Sequence, residues 1–303
     1  MTSVIEARGL TKRFGSVTAV NSATFSIEAN TITGLLGRNG AGKTTLMQLM
    51  TAQQFASDGT ISVFGSSPIE NATTLQQVCF IKESQKYPDD YQPRHIFRAA
   101  PWFYPNWDAD FAERLIAEFR VPVTRRMKKL SRGQVSAVGV IVGLASRAPI
   151  TFFDEPYLGL DAVARQVFYD RLLEDYAEHP RTVVLSTHLI DEVSNLLERV
   201  LVIDDGRIIV DKDAEELRGQ ATTLAGPAAA VERFVAGLDV LHTERLGGLA
   251  TATVGALGAA DRAAAAEAGL ELAPVSLQQL IIRLTTQGET STAGLAAESE
   301  KSA

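Results

Sequence analysis

A glycine-rich segment near residue 40 has the residue types that bind phosphate. It fits the pattern G-x-x-x-x-G-K-[ST] and lies between an apolar run at 32–36, which predicts a buried strand, and a predicted helix at 44–52. In that context the glycines let backbone N–H groups turn toward phosphate oxygens, and the helix dipole adds positive charge. The segment predicts a nucleotide-binding loop whose residues are Gly37, Arg38, Asn39, Gly40, Ala41, Gly42, Lys43, Thr44 and Thr45.

Two residues of this loop and two later acids have the groups needed to transfer a phosphoryl group to water. Lys43 would reach the β and γ phosphates, and the Thr44 hydroxyl would hold Mg²⁺. Asp154 and Glu155 follow the apolar run 151–153, which places them at the carboxyl end of a predicted strand, where α/β sheets bind ligands. Asp154 would hold Mg²⁺ through water, and Glu155 would polarise the attacking water. Lys43 and Glu155 are therefore catalytic candidates.

The elements that must position these groups alternate between strands and helices over the first 212 residues. Strands are predicted at 4–10, 17–27, 32–36, 60–64, 151–153, 182–186 and 200–203, and helices at 44–52, 108–119, 133–147, 162–178 and 190–198. This alternation indicates an α/β domain with a largely parallel sheet covered by helices on both faces. Asp205-Gly206 lies between two apolar runs and predicts a type I′ hairpin turn.

The composition changes after about residue 213, where the chain becomes rich in alanine and glycine and has no further motif. The predicted order is strand 221–226, helix 228–237, strands 239–246 and 248–255, helix 259–268 and strand 270–274. This βαββαβ order predicts a small ferredoxin-like α+β accessory domain at 213–287. A last helix is predicted at 276–285. The small and charged residues of 288–303 predict a disordered tail.

Composition excludes several classes of protein. The 303 residues include 29 Lys and Arg against 36 Asp and Glu, and the net charge of −7 gives no reason to expect a nucleic-acid partner. The single cysteine, Cys79, excludes a disulfide framework and a cysteine-based metal site. The apolar run 135–146 is shorter than the roughly 20 residues that cross a bilayer, so work at a membrane would need another protein.

Four further segments complete a recognisable pattern. One segment, Leu130-Ser131-Arg132-Gly133-Gln134, is similar to the signature L-S-G-G-Q. Another, Gly159-Leu160-Asp161, follows Asp154 and Glu155 by a few residues. Ser186-Thr187-His188 ends a predicted strand, and Phe14 lies in the segment Leu10-Thr11-Lys12-Arg13-Phe14-Gly15. With the phosphate loop and Asp154, these segments occur in the order found in one family. Residues 4–212 therefore resemble the ATP-binding subunit of an ABC transporter of the bacterial exporter-like type.

The resemblance implies an ATPase domain over 1–212, with a helical signature subdomain at about 84–147, that binds ATP and Mg²⁺. Two copies, or this chain and a related one, would close head to tail around two ATP molecules. The partner would be a separate integral-membrane permease, which would hold the cytoplasmic chain at the inner face of the cell membrane. Export is favoured because the accessory domain resembles that of exporter-type ATPases.

The resemblance also assigns roles to residues that would otherwise be taken as packing or capping groups. Ser131 and Gly133, followed by Gln134, would face the γ phosphate of ATP held by the second subunit, and Asp161 would lie in the loop that crosses between subunits. His188 would act as the catalytic switch that contacts the γ phosphate. The Phe14 ring would stack on adenine, an interaction with little base selectivity.

Two positions depart from the family pattern. Arg132 replaces a signature glycine. Its side chain could add charge to the nucleotide interface, but we expect it to point to solvent. Where the family has a glutamine that offers oxygen to Mg²⁺, the predicted strand Val78-Cys79-Phe80-Ile81-Lys82 leads into Glu83. Glu83 is the predicted ligand because it directly follows the apolar strand, and Gln85 is the alternative.

Two surface features have competing interpretations. The basic run Arg120, Arg125, Arg126, Lys128, Lys129 and Arg132 is expected to be a solvated face and not a phosphate site. The aromatic cluster Trp102, Phe103, Tyr104 and Trp107 is interrupted by two prolines, which predicts a loop or a broken helix. We expect this cluster to dock the permease. The alternative is that its rings form a local core.

Two other functions are less well supported. A soluble ABC ATPase of DNA repair would need a long coiled coil between Lys43 and Ser131, and a translation-type ATPase would carry two phosphate loops. Neither feature occurs in the sequence. A module that senses ATP without hydrolysing it would be favoured by loss of Glu155 or His188, and both are present.

Overall fold

The computed structural model describes residues 2–83 and 85–281, which form two compact units. The first unit comprises the chain up to residue 189 together with 195–211. The second comprises 190–194 and the chain from residue 212 onward. The sequence predicts a single boundary at about residue 213, and it does not predict that residues 190–194 group with the second unit.

Strands and helices alternate along the first 213 residues. The strands are β1 (Ser3–Phe14), β2 (Val17–Glu28), β3 (Ile32–Leu36), β4 (Asp58–Val63), β5 (Val78–Ile81), β6 (Ile150–Asp154), β7 (Thr182–Thr187), β8 (Arg199–Asp204) and β9 (Arg207–Asp213). The helices are α1 (Lys43–Met50), α2 (Ala72–Leu75), α3 (Pro93–Phe103), α4 (Ala109–Glu118), α5 (Arg132–Ala145), α6 (Ala162–Glu178) and α7 (Ile190–Val193). The predicted helix at 190–198 ends early, because a 3₁₀ turn follows it at Ser194–Leu196.

The central sheet has the strand order β5-β6-β7-β3-β8-β9. The first five strands of this order, β5, β6, β7, β3 and β8, pair in parallel with one another. Every residue of β3, β6 and β7 is buried, as continuous apolar strands covered on both faces require. Because these three strands are adjacent and parallel, their carboxyl ends meet at one edge of the sheet. Asp154 ends β6 at that edge, and the phosphate loop and His188 follow the ends of β3 and β7 there.

The predicted hairpin turn between β8 and β9 is confirmed. Both of its central residues have positive φ, +43° at Asp205 and +74° at Gly206, which is the requirement of a type I′ turn. The Gly206 N–H donates to the carbonyl of Ala41 in the phosphate loop, at 3.0 Å. The turn therefore helps to fix the position of the loop.

A second, antiparallel sheet has the order β2-β1-β4. Its inner face shares a core with helix α1 and the central sheet, in which Ile5, Leu10, Met47 and Phe152 are buried. This packing fixes the helix that begins at the phosphate loop. Helix α5 has nine consecutive buried residues and contacts α3, α4 and α6.

The prediction of a loop or broken helix at the aromatic cluster is wrong for Trp102 and Phe103, which lie in helix α3. Pro101 lies inside α3, in the last turn, where its missing N–H costs one hydrogen bond and the helix ends two residues later. Trp102 and Phe103 are 81% and 65% exposed, so these two rings form no local core. Tyr104 and Trp107 are half-buried, and the Cys79 thiol donates to the Tyr104 hydroxyl at 3.4 Å.

The basic run between residues 120 and 132 lies on the surface. All six of its cationic side chains are exposed, and Asp90 pairs with Arg126 at 3.3 Å and with Lys128 at 3.0 Å. The hydrogen bond and positive charge of Lys128 hold the pKa of Asp90 below its usual value. This exposure and pairing agree with the expectation of a solvated face.

The second unit contains α8 (Ala214–Arg218), β10 (Ala221–Pro227), α9 (Ala228–Val235), β11 (Val240–Leu246), β12 (Leu249–Gly255), α10 (Ala259–Glu267) and β13 (Glu271–Pro274). Its antiparallel sheet has the order β11-β12-β10-β13 around a core that includes Leu224, Val231 and Val254. From β10 to β13 the elements follow one another in the order βαββαβ that the sequence predicts. The predicted helix 276–285 is helical at 277–281. Residues 282–285 of this prediction and the predicted tail at 288–303 lie outside the described residues.

Candidate nucleotide-binding and catalytic site

The phosphate loop closely approaches its neighbours at two glycines. Gly37 and Gly42 have φ values of +154° and +111°, in the region that favours glycine. A Cβ atom at Gly37 would overlap the carbonyl oxygen of Ile203, and one at Gly42 would overlap that of Ala19. Both positions therefore require glycine on conformational and steric grounds.

Lys43 opens helix α1 with its side chain folded across the loop. Its Nζ donates to the carbonyls of Gly37 at 2.9 Å and Arg38 at 3.2 Å, and it lies 3.8 Å from Glu155 Oε1. Burial lowers the pKa of Lys43, while the charges of Glu155 and Asp154 oppose that shift. The lysine is thus placed between the loop and the acidic residues that follow β6.

Asp154 connects the loop to two strand ends. Its Oδ2 accepts a hydrogen bond from the Thr44 hydroxyl at 2.7 Å, and its Oδ1 accepts one from the Ser186 hydroxyl at 2.6 Å. Asp154 and Ser186 face each other in the register of β6 and β7. The sequence motifs include Ser186 but assign it no function. The structure shows that its hydroxyl orients Asp154.

Glu155 lies just beyond the sheet in a left-handed conformation, with φ at +49°, which costs a non-glycine residue about 1 kcal/mol. Its N–H donates to the Ser186 hydroxyl at 3.1 Å. Its Oε2 lies 2.6 Å from His188 Nδ1 and accepts a hydrogen bond from the Tyr157 hydroxyl at 3.0 Å. The Glu155 side chain is 10% exposed, and its carboxylate is held by contacts with Lys43, Tyr157 and His188.

Tyr157 is a site residue that sequence reasoning missed. Its hydroxyl contacts Glu155, Thr187 at 2.7 Å and His188 Nδ1 at 3.4 Å. Burial raises the pKa of this phenol, so the hydroxyl keeps its proton at neutral pH. The only sequence signal was a hydroxyl-bearing side chain two residues after the candidate base.

These groups border an open cavity of about 570 Å³. The lining residues are Ala19, Asn39, Gly40, Gly42, Lys43, Thr44, Thr45, Glu83, Glu155, Leu158 and His188. The structure therefore brings together the loop, the candidate base, the switch histidine and Glu83. Phe14 does not belong to this lining. It ends β1 with its ring 46% exposed and the Lys12 ammonium 4.8 Å from the ring centroid.

The signature residues lie at helix starts outside this lining. The Ser131 hydroxyl accepts from the Gln134 N–H at 3.2 Å, and the Gln134 side chain accepts from the Ser131 N–H at 3.1 Å, which makes a capping box at the start of α5. Asp161 caps α6 by accepting from the Ala164 N–H at 2.8 Å. A Cβ atom at Gly133 would overlap the carbonyl oxygen of Gly159, so the two segments are in close contact.

Arg132 is largely exposed, as expected, but it has a specific partner. Its Nη2 lies 3.2 Å from Glu83 Oε1, with 67% of the arginine side chain and 47% of the glutamate side chain exposed. Glu83 also lines a neighbouring cavity together with Thr44, Asp154 and Gln85. The Gln85 side-chain oxygen lies 3.5 Å from the Lys82 backbone nitrogen. Of the two candidate ligands, Glu83 borders both cavities.

Comparison with known proteins agrees with this geometry. Residues 20–158 match the family model described as ABC transporter. The ABC transporter ATP-binding protein YtrB of Bacillus subtilis is 26% identical over 215 residues, which cover 71% of this chain and 74% of that protein. The phosphonates import ATP-binding protein PhnC 2 of Roseobacter denitrificans is 30% identical, with coverage of 73% and 88%. The Nod factor export ATP-binding protein I of Burkholderia lata is 27% identical, with coverage of 79% and 82%.

A solved dimeric structure of an ATP-binding cassette, in a post-hydrolysis state bound to ADP and Pi, has a similar fold. The TM-score is 0.61 at 18% identity, and the match covers 69% of this chain and 98% of that one. The chain belongs to the ABC transporter family as an ATP-binding subunit. The predicted family and the α/β fold of the first unit are thereby confirmed, and the chain is an ABC ATPase.

Subunits of this class dimerise and work with membrane-embedded permeases. Across the part of the chain that the structure describes, no helix has the length and apolar character that crossing a bilayer requires.

Proposed function

We propose that this chain hydrolyses ATP at the cavity beside Lys43 and uses the reaction to drive a separate membrane permease. The observation that carries the proposal is the meeting of a buried cation, a hydroxyl and two carboxylates at one edge of the sheet. Lys43 and Thr44 come from α1, and Asp154 and Glu155 from the end of β6. This arrangement has the groups that phosphoryl transfer to water needs.

Within this site each residue has a distinct task. The loop N–H groups and Lys43 would bind the β and γ phosphates and offset their negative charge. Glu155 would accept a proton from the attacking water, and His188, 2.6 Å from it, would contact the γ phosphate. Phe14 would stack on the adenine ring with little base selectivity.

Magnesium fits the oxygen donors beside the loop. Thr44 Oγ1 and Asp154 Oδ2 lie 2.7 Å apart, and both are hard ligands of the kind that Mg²⁺ prefers. Among the described residues, no group of three or more His, Cys, Asp or Glu side chains could hold a metal. The ion would therefore be shared with the nucleotide phosphates, with Asp154 acting through water and Glu83 as a further ligand. When bound, it would neutralise charge on the β and γ phosphates.

The active form is proposed to be a head-to-tail dimer, either of two copies or of this chain and a related one. Ser131, Gly133, Gln134 and Asp161 lie at helix starts outside the lining of the chain's own cavity, and Ser131 is exposed. They are therefore available to the nucleotide of a second subunit. The dimeric, ADP-bound neighbour of similar fold supports this arrangement.

The permease would hold the chain at the cytoplasmic face of the cell membrane, and the exposed rings of Trp102 and Phe103 are proposed to contact it. We assign 1–212 as the ATPase domain, 84–147 as its helical subdomain and 213–287 as the accessory domain. Export is the proposed direction, from the resemblance of the accessory domain to that of exporter-type ATPases. Nod factor export protein I supports export, whereas PhnC 2 is named for import.

Glu155→Gln tests the reaction because it keeps the shape of the side chain and removes its charge. ATP should bind normally, while hydrolysis falls by at least about 100-fold, as expected for loss of a general base. The variant should remain an ATP-bound dimer in gel filtration. Near wild-type turnover would contradict the proposal, and failure of the wild-type chain to co-purify with a membrane protein would contradict its transport part.

A further inference from the structure

The Tyr157 hydroxyl lies at the centre of the polar contacts around Glu155. It is 3.0 Å from Glu155 Oε2 and 2.7 Å from Thr187 Oγ1, and it accepts the His188 N–H at 3.2 Å. The residue is 1% exposed. A phenylalanine would fill the same volume, so the specific contribution of tyrosine here is its hydroxyl.

The hydrogen bonds of that hydroxyl can be assigned from its three shortest contacts, all of 3.2 Å or less. A phenol has one proton and two lone pairs. The His188 N–H occupies one lone pair, and the Thr187 hydroxyl, whose own oxygen accepts the Leu189 N–H at 2.8 Å, can donate to the other. The proton of Tyr157 is then left for Glu155 Oε2. Because burial raises the pKa of Tyr157, that proton remains in place at neutral pH.

His188 approaches the same carboxylate oxygen. His188 Nδ1 lies 2.6 Å from Glu155 Oε2 and donates to it in the tautomer that carries its proton on Nδ1. Two donors therefore converge on Oε2. The other oxygen, Oε1, lies on the side of Lys43, at 3.8 Å from its Nζ.

We infer that Tyr157 is a positioning residue that holds the Glu155 carboxylate with Oε1 directed to the attacking water. It shares this role with His188, but Tyr157 is buried whereas the His188 side chain is 39% exposed, so Tyr157 holds Glu155 also when the histidine turns toward a phosphate. The inference rests on the proposed role of Glu155 as the base. Proper orientation of a catalytic group within a fraction of an ångström is worth a large factor in rate.

Tyr157→Phe tests this inference. Loss of one hydrogen bond to a charged group should lower kcat about 10-fold while KM and the Kd for a fluorescent ATP analogue stay within about 2-fold, because no nucleotide contact is removed. Tyr176→Phe is the matched control, since it removes a hydroxyl that bonds Asn30 and Glu198 outside the site. Its kcat should equal that of the wild type. Wild-type kcat in Tyr157→Phe would overturn the inference.

A double variant separates positioning from a general structural role. If Tyr157 acts through Glu155, then Tyr157→Phe should cause no further loss when added to Glu155→Gln. A further 10-fold fall would overturn the inference. If instead Glu155→Gln alone hydrolyses ATP normally, the proposed function fails, which is a different outcome from wild-type activity in Tyr157→Phe alone.

Thr187→Val provides a second measurement if Tyr157→Phe does not fold. It removes the hydroxyl that fixes the direction of the Tyr157 hydroxyl while Tyr157 itself is kept. The expected result is a fall in kcat of about 3-fold with unchanged KM. Unchanged kcat in a folded Thr187→Val protein would contradict the inference.

Discussion

The Arg132 guanidinium and the Glu83 carboxylate form an ion pair, with 3.2 Å between Nη2 and Oε1. The resemblance to ABC ATP-binding subunits implies a glycine at the position of Arg132 and a glutamine at the position of Glu83. Within this contact the positive charge of Arg132 offsets the negative charge of Glu83.

Restoring the family residues one at a time should reveal this compensation. Arg132→Gly leaves the Glu83 charge unopposed beside the nucleotide cavity, so the Kd for ATP should rise about 3-fold, as expected for loss of an exposed pair. Adding Glu83→Gln should return the Kd to the wild-type value. Arg126→Gly, which breaks another exposed pair, is the control and should not change it. Additive effects of the two changes would contradict the coupling.

The choice between Glu83 and Gln85 as the metal ligand can be tested by titration with Mg²⁺. Glu83→Ala should need several-fold more Mg²⁺ for half-maximal hydrolysis because a hard oxygen ligand is lost, whereas Glu83→Gln keeps an oxygen and should remain active. Gln85→Ala serves as the control, with a wild-type titration. The reverse result for Glu83→Ala and Gln85→Ala would make Gln85 the ligand.

The exposed rings at the end of α3 should matter for association and not for folding. Trp102→Ala with Phe103→Ala should leave the Tm and the basal ATPase rate unchanged, since these side chains are 81% and 65% exposed. Co-purification with the membrane partner should weaken at least about 10-fold, as for loss of interface aromatics. Phe55→Ala, at a ring 63% exposed on another part of the surface, is the control. A large fall in Tm would contradict the assignment.

Among the carboxylates of α6, Asp175 should contribute most to the free energy of unfolding. Its side chain is 3% exposed and contacts Arg147 at 2.7 Å and Arg181, whose side chain is 4% exposed, at 2.5 Å. Asp175→Ala leaves these cations without their shared partner, so urea unfolding should show a loss of about 3–5 kcal/mol. Glu118→Ala, which breaks the half-exposed pair with Arg171, should cost at most about 1 kcal/mol. Equal losses in the two variants would contradict this explanation.

The sequence determined the parts of the site that depend on local structure. A phosphate loop needs glycines at fixed positions between a strand and a helix, and Gly37 and Gly42 have the conformations that this requires. The acids after β6 and the turn at Asp205-Gly206 follow from similarly short patterns. These features could be predicted because each is fixed by backbone conformation within a few residues, and the α/β fold follows from the alternation of such segments.

The tertiary structure alone decided which side chains meet. Tyr157 reaches Thr187 and His188 because β6 and β7 pair in parallel with Asp154 opposite Ser186. Arg132 meets Glu83, 49 positions earlier in the chain, because the start of α5 lies beside the end of β5. Such contacts are set by strand register and by packing between distant segments. They leave no periodic or local trace in the sequence, so they could not be predicted from it.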